Sequence, residues 1–259
     1  MQDRVLIFEG IHNFRDYGGY AVAGGAHLKT GLLYRSSQHL DATADDLDRV
    51  FALNLTTVVD LRGNSERADF PCARHPDFAA KIIFADGETA GAGNANDENA
   101  RDVRTAADAH QAMITLYQAM PFRPLLIEVF KSYFEDLSMG YGASLIHCLA
   151  GKDRTGLAVT MLLRVLGVHA DDVMADYLLT NIAGDIDRRI AAGADSVRAG
   201  FGPTMDDAAV RTLMSVHPEY LDAAIAAIVA RHSSVSAYAE DVLGVTPAKR
   251  DAIKTALII

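Results

Sequence analysis

Cys148 and Arg154, separated by five residues in the segment HCLAGKDRTG (147–156), carry the strongest chemical signal in this sequence. A cysteine thiolate can attack phosphorus. A guanidinium fork can hold two phosphate oxygens, better in the trigonal-bipyramidal transition state than in the ground state. Five intervening residues suffice for one tight loop between a strand and a helix. The strand SLIH delivers the cysteine at its C-terminal end, and the helix opening near Arg154 points its free N–H groups back at the same place. Loop and first-turn amides of Leu149, Ala150, Gly151, Lys152, Thr155 and Gly156 then surround a phosphate, and the helix dipole adds to the field. Gly151 lets the backbone curl close to the ligand. Helix N-termini and adjacent cations favour the thiolate form of a cysteine. Thr155 is placed to hydrogen-bond the sulfur when it leaves in a second step. His147 is expected to orient the loop through a buried hydrogen bond, and Lys152 to add a second cation at its outer edge.

Other readings compete. A buried cysteine at a strand end is usually a small inert hydrophobe, so Cys148 alone would carry little. Gly151-Lys152 hints at a nucleotide-binding loop. That motif needs Gly five residues before its Gly and Ser or Thr after the Lys, where this chain has Ile146 and Asp153. C-x5-R alone is a weak pattern; HC-x2-GK-x-RTG between a strand and an apolar helix is a strong one.

Phosphate transfer through cysteine also needs a general acid, then a base for the attacking water. Asp153 lies inside the loop between two cations, with no structural need for an acid there. Asp60 ends the run TTVVD, at the sheet edge where α/β proteins place their sites. Asp153 is the preferred acid and Asp60 the second candidate. Asp60 has the alternative role of an ion pair with Arg62 or a helix cap.

Elements must position these groups. Leu32–Tyr34, Thr56–Asp60 and Ser144–Cys148 read as buried strands, and 81–85 (KIIFA) as a fourth. Helical patterns alternate with them: Ala42–Leu53 with Thr43 as N-cap, Arg154–Leu166 stopped near Gly167, Pro218–Ala230, and Thr246–Leu257 with a Thr cap. The fold expected is α/β, a central sheet flanked by helices in one domain over 1–259. Residues 86–104 read as a long mobile surface loop, a tolerated insertion or, more sharply, an active-site flap. Gly184–Pro203 holds four glycines and reads as an irregular stretch. A helical lid is expected somewhere within 182–217.

Composition narrows the field. Half of the 259 residues are apolar and 22% are charged, with a formal net charge of -10. That balance argues against nucleic acid as a partner, yet one local basic pocket suffices for a phosphate. Two cysteines, Cys72 and Cys148, make no disulfide framework and too few ligands for a Cys-rich zinc site, and no HExxH occurs. No metal or organic cofactor is expected. Cys72 is read as a structural thiol, with a protective disulfide to Cys148 the lesser alternative. The start lacks the features of a secretory signal and no run reaches membrane-span length, so a cytoplasmic location without membrane insertion is expected.

The loop CxxGKDRT resembles the signature of cysteine-based phosphatases, in the form found in bacterial tyrosine phosphatases with combined phosphoprotein and phosphoinositide activity. Asn13-Phe14-Arg15-Asp16-Tyr17-Gly18-Gly19 is similar to that family's N-terminal motif. Leu33-Tyr34-Arg35-Ser36, Asp60-Leu61-Arg62 with Glu66, Asp176-Tyr177-Leu178-Leu179 and Pro218-Glu219-Tyr220-Leu221 are similar to further segments. The resemblance implies a protein-tyrosine phosphatase working through a cysteinyl-phosphate intermediate, with phosphoserine, phosphothreonine or phosphoinositide as further substrates. A separate acid loop of the Trp-Pro-Asp type is impossible, because the chain has no Trp. Two alternatives remain open. A sulfur- or arsenate-handling enzyme would need no acid, which Asp153 counts against. A phosphate-binding pseudo-phosphatase would ordinarily have lost Cys148, Arg154 or Asp153.

Overall fold

The computed structural model describes residues 4–89 and 103–259. Among these, one sheet is built from β1 (Arg15–Asp16), β2 (Leu33–Ser36), β3 (Leu55–Asp60), β4 (Lys81–Ile83) and β5 (Ala143–His147). The order is β1-β2-β5-β3-β4, parallel except for β1, which runs antiparallel to β2. The expected strands are present within a residue or two. The two-residue β1 is too short to leave a period-two pattern.

Alternation sorts the strand residues onto two faces. Tyr34, Val58 and Leu145 join Phe8, Ile11 and Phe14 in a core on one face. Leu33, Val59 and Ile146 join the larger core on the other, with Leu157, Val159 and Leu163. Burial on both faces is why these strands read as continuous apolar runs.

The smaller core is covered by α1 (Ala44–Phe51), whose Val50 packs there. Thr43 opens α1 with a capping box closed by Asp46. A short α2 (Asn64–Asp69) follows β3. The remaining helices are α3 (Ala106–Ala119), α4 (Pro124–Met139), α5 (Asp153–Leu166), α6 (Ala170–Leu178), α7 (Thr180–Ala183), α8 (Ile186–Phe201), α9 (Asp207–Met214), α10 (Pro218–His232), α11 (Val235–Asp241) and α12 (Pro247–Leu257). Buried on nearly every side from Thr155 to Leu166, α5 stops at Gly167, whose φ of +90° suits glycine. Helices α3 and α4 are additions to the sequence reading. The stripe Leu126, Val129, Phe130, Tyr133, Phe134, Leu137 after Pro124 was a legible helical signal for α4.

One expectation is overturned. Gly184–Pro203 is mostly the 16-residue helix α8, not an irregular stretch. Of its four glycines, Gly184 precedes the Asp185 N-cap and Gly202 is the C-cap, so two of them bound the helix. α8 packs against α9, and this pair occupies the range expected for a helical lid. The expected loop at 86–104 lies mainly outside the described residues. Its flanks at Thr89 and Val103 are buried. Among the described residues no single helix is long and apolar enough to cross a membrane.

Candidate active site

Parallel pairing sets Ser36, His147 and Asp60 side by side at the C-terminal edge of β2, β5 and β3. Cys148 is the next residue and is 3% exposed. The chain then turns through Leu149–Lys152 into α5. Gln38 donates its backbone N–H to Leu149 O at 3.0 Å. Asn13 Nδ2 and Arg35 Nη2 donate to Gly151 O at 2.7 and 2.9 Å. With these carbonyls tied, the N–H groups of Leu149 through Lys152 find no acceptor among the described residues. Successive free amides of this kind form an anion cradle. Gly151 has φ +63°, and a Cβ there would sit 2.2 Å from Ser36 O. Both facts require glycine at this turn.

Arg154 lies in the first turn of α5. Its Nη1 donates to Glu66 Oε2 at 2.5 Å, Thr89 Oγ1 at 3.1 Å and Leu61 O at 3.2 Å. Its Nη2 donates to Glu66 Oε1 at 2.6 Å. The Nε–Nη2 edge is left for two phosphate oxygens. Burial would raise the Glu66 carboxyl, but the bonds and charge of Arg154 hold it below the ordinary range. Glu66 therefore aims Arg154, a role visible in sequence only as a motif position.

The two candidate acids have unlike surroundings. Asp153 opens α5 with its side chain 23% exposed. Its Oδ1 accepts from Tyr117 Oη at 2.8 Å and faces Lys152 Nζ at 3.2 Å. Tyr177 Oη donates in turn to Tyr117 Oη at 2.8 Å. Burial, and then Asp153, push the Tyr117 hydroxyl well up, so it stays a donor. Oδ2 of Asp153 has no partner among the described residues. Asp60 instead is 4% exposed and bound by Arg62 through Nε at 2.8 Å and Nη2 at 2.7 Å. Burial alone would raise its carboxyl; His147 at 3.9 Å and Arg62 outweigh burial and hold it below the usual carboxylate range. Both Asp60 oxygens are thus engaged by Arg62, in the ion pair that is the alternative role named for it above.

Lys152 also departs from expectation. It is 4% exposed, not at the loop's outer edge. Its Nζ donates to Leu213 O at 2.5 Å and Ser215 O at 3.1 Å, with Asp153 Oδ1 at 3.2 Å. Three donors meet three acceptors, and the lysine straps the loop to the end of α9. His147 makes a weak contact from Nδ1 to Cys148 O at 3.3 Å, while its buried Nε2, 3.9 Å from Asp60 Oδ2, has no hydrogen-bond partner. The Thr155 hydroxyl is buried and unpartnered too, directly behind the loop. Both cysteines are free. Cys72 Sγ accepts from Arg62 Nη2 at 3.2 Å and from His39 N at 3.4 Å, so the disulfide alternative gives way to a structural thiol.

A buried ionic network fixes the loop from behind. Asp176 of α6 accepts from Arg15 Nε at 3.3 Å and from Arg35 Nη1 at 2.8 Å. These arginines are cross-strand partners in β1 and β2. Arg15 also donates to Asn13 Oδ1, and Asn13 and Arg35 hold Gly151 O. The motif residues at 13, 15, 35 and 176, far apart in sequence, thus converge on one loop carbonyl.

The sequence model of a family described as the tyrosine phosphatase family matches residues 6–259. A Cupriavidus necator protein assigned by name to the tyrosine-protein phosphatases is 35% identical over 94% of this chain and 86% of its own length. The triple specificity protein phosphatase PtpB of Mycobacterium tuberculosis is 29% identical over 90% of this chain and 91% of its own. Among solved structures, a crystal structure of P. aeruginosa TpbA aligns with 76% of this chain and 96% of its own at 18% identity. Its TM-score of 0.31 is too low to carry an argument.

Proposed function

This chain belongs to the tyrosine phosphatase family and is a cysteine-based phosphatase; from that premise we propose how its residues divide the reaction. Cys148 Sγ attacks phosphorus while the P–O bond to the leaving group breaks. Asp153 Oδ2 delivers the proton that the leaving oxygen needs. Arg154, aimed by Glu66, binds two equatorial oxygens through its Nε–Nη2 edge, and the amides from Leu149 to Lys152 bind the rest. Water then attacks the cysteinyl phosphate, Asp153 takes its proton, and the P–S bond breaks to give inorganic phosphate and thiolate. Thr155 Oγ1 is the donor placed to receive charge on the leaving sulfur. Asn13, Arg35, Lys152 and His147 position the loop without touching substrate.

The observation that carries this reading is the run of free amides beside Cys148, together with the unclaimed edge of Arg154 in the same turn. Phosphotyrosine is the substrate class proposed first, with phosphoserine, phosphothreonine and phosphoinositides as further classes. The name of PtpB, a triple specificity phosphatase, supports that breadth. The family match over nearly the whole chain supports a single phosphatase domain.

The test is turnover of an aryl phosphate. Cys148→Ser and Arg154→Ala should each abolish it while unfolding curves stay cooperative. Cys148→Ser should still bind inorganic phosphate, because the amide cradle remains. Substantial activity in either folded variant would refute the assignment.

A further inference from the structure

Resting on the phosphatase reading above, we propose that Arg189 of α8 forms a second anion subsite at the mouth of the site, for substrates carrying a second phosphate beside the one removed. Sequence pointed to Lys152 for such a role. That lysine has no donor left, since all three are taken by Leu213 O, Ser215 O and Asp153. Arg154 is committed to Glu66 on one side and to the scissile phosphate on the other. Arg189 of α8 is a further cation, with no side-chain hydrogen bond among the described residues.

Its Nη1 is shut off from solvent and has no hydrogen-bond partner. No carboxylate among the described residues forms an ion pair with it. The guanidinium lies over Gly184 and within electrostatic reach of both Cys148 and Asp153. It also acts on half-buried His12, whose imidazole burial and then Arg188 and Arg189 keep toward the neutral form. His12 is tied to Ser37 through both its backbone groups, next to the Gln38–Leu149 contact. Ala183, next to Gly184, accepts from Asn13 N at 2.8 Å, and Asn13 Nδ2 in turn holds Gly151 O, so Arg189 lies on the segment docked beside the loop, with a buried donor that has no partner. A buried cationic donor without an acceptor is costly, and an anionic group on the ligand relieves that cost. The loop amides and Arg154 already supply donors for the scissile phosphate, so the chemistry left for Arg189 is a second phosphate.

Binding to the Cys148→Ser protein tests this without turnover. Calorimetric titration compares a myo-inositol monophosphate with a myo-inositol bisphosphate, in Cys148→Ser and in Cys148→Ser/Arg189→Ala. The bisphosphate should bind Cys148→Ser the more tightly. Arg189→Ala should remove that advantage, about 10-fold or more in Kd for a lost charge-assisted bond. Arg189→Lys, which keeps the charge, should restore part of it. Equal weakening of both ligands would overturn the subsite, because Arg189 would then serve the scissile phosphate. No difference between the ligands in Cys148→Ser would overturn it as well. A short-chain phosphatidylinositol bisphosphate should show the same Arg189 effect; an effect confined to the lipid would assign the residue to its glycerol or acyl part and overturn the proposal. An effect confined to a phosphotyrosine peptide with flanking acids would overturn it in favour of protein substrates. Aryl phosphate turnover by the wild type, measured alongside, keeps failure of the subsite distinct from failure of the phosphatase assignment.

Discussion

Asp176→Asn should cost far more stability than its isosteric size suggests. The carboxylate is 1% exposed and sits between Arg15 and Arg35, each with a side chain 0% exposed. Burial alone would raise its carboxyl, but the charges of Arg15 and Arg35 and the bonds from them hold it below the ordinary range. Two positive charges and one negative give the buried cluster a net charge of +1. The substitution makes it +2 with no counterion. Removing one partner of a buried pair costs about 3–5 kcal/mol, against a total stability of about 5–15 kcal/mol for a domain. Asp136→Asn is the comparison. Asp136 is 5% exposed, but its partner Lys81 is 61% exposed and can rehydrate. Loss of that pair should cost about 1 kcal/mol, because an Asn oxygen can still accept from Thr57 Oγ1. Urea unfolding followed by circular dichroism, extrapolated to water, reads both. In protein kept folded, Asp176→Asn should also lower kcat, since Arg35 and Asn13 no longer hold Gly151 O in place. A loss for Asp176→Asn no larger than for Asp136→Asn would refute the claim that the arginines depend on this carboxylate.

The remaining predictions concern the acid and pH. Asp153→Asn should slow substrates with poor leaving groups, such as alkyl phosphates, much more than an activated aryl phosphate that departs unprotonated; a uniform loss would instead make Asp153 an electrostatic partner of Lys152. His147 is fully buried, and burial, opposed by Asp60, brings its pKa from 6.5 down to about 4. The unfolded chain therefore takes up this proton first, so stability is full above pH 6.5 and falls as pH drops towards 4, by about 3 kcal/mol in all at 1.36 kcal/mol per unit. His39 shifts the same way, from burial first and then His147. Urea midpoints should fall between pH 6.5 and 5, before most carboxylates titrate, and His147→Gln should flatten that fall; an unchanged slope would show that other groups carry it.

Legibility in this chain tracks sequence distance. The strand, loop and helix at 143–166 were readable because their determinants are local: a continuously buried run, one glycine with positive φ, and an apolar helix that opens at Asp153. The proposed nucleophile, clamp and acid all fall inside that stretch. Partner choice was not readable, because topology decides it. Glu66 and Arg154 are 88 residues apart, and Arg15 and Asp176 are 161 apart. Each could be recognised as a motif residue, yet only the folded sheet edge brings them together. Lys152 shows how a local reading can go wrong. Beside a phosphate loop a lysine reads as a phosphate cation, but α9 ends where its last carbonyls can take the Nζ protons. Those carbonyls are orphan acceptors at a helix end, and a buried lysine satisfies them and itself at once. The cation was read correctly and its partner was not. The same fold leaves Arg189, which no motif marked, with a buried donor that has no partner among the described residues.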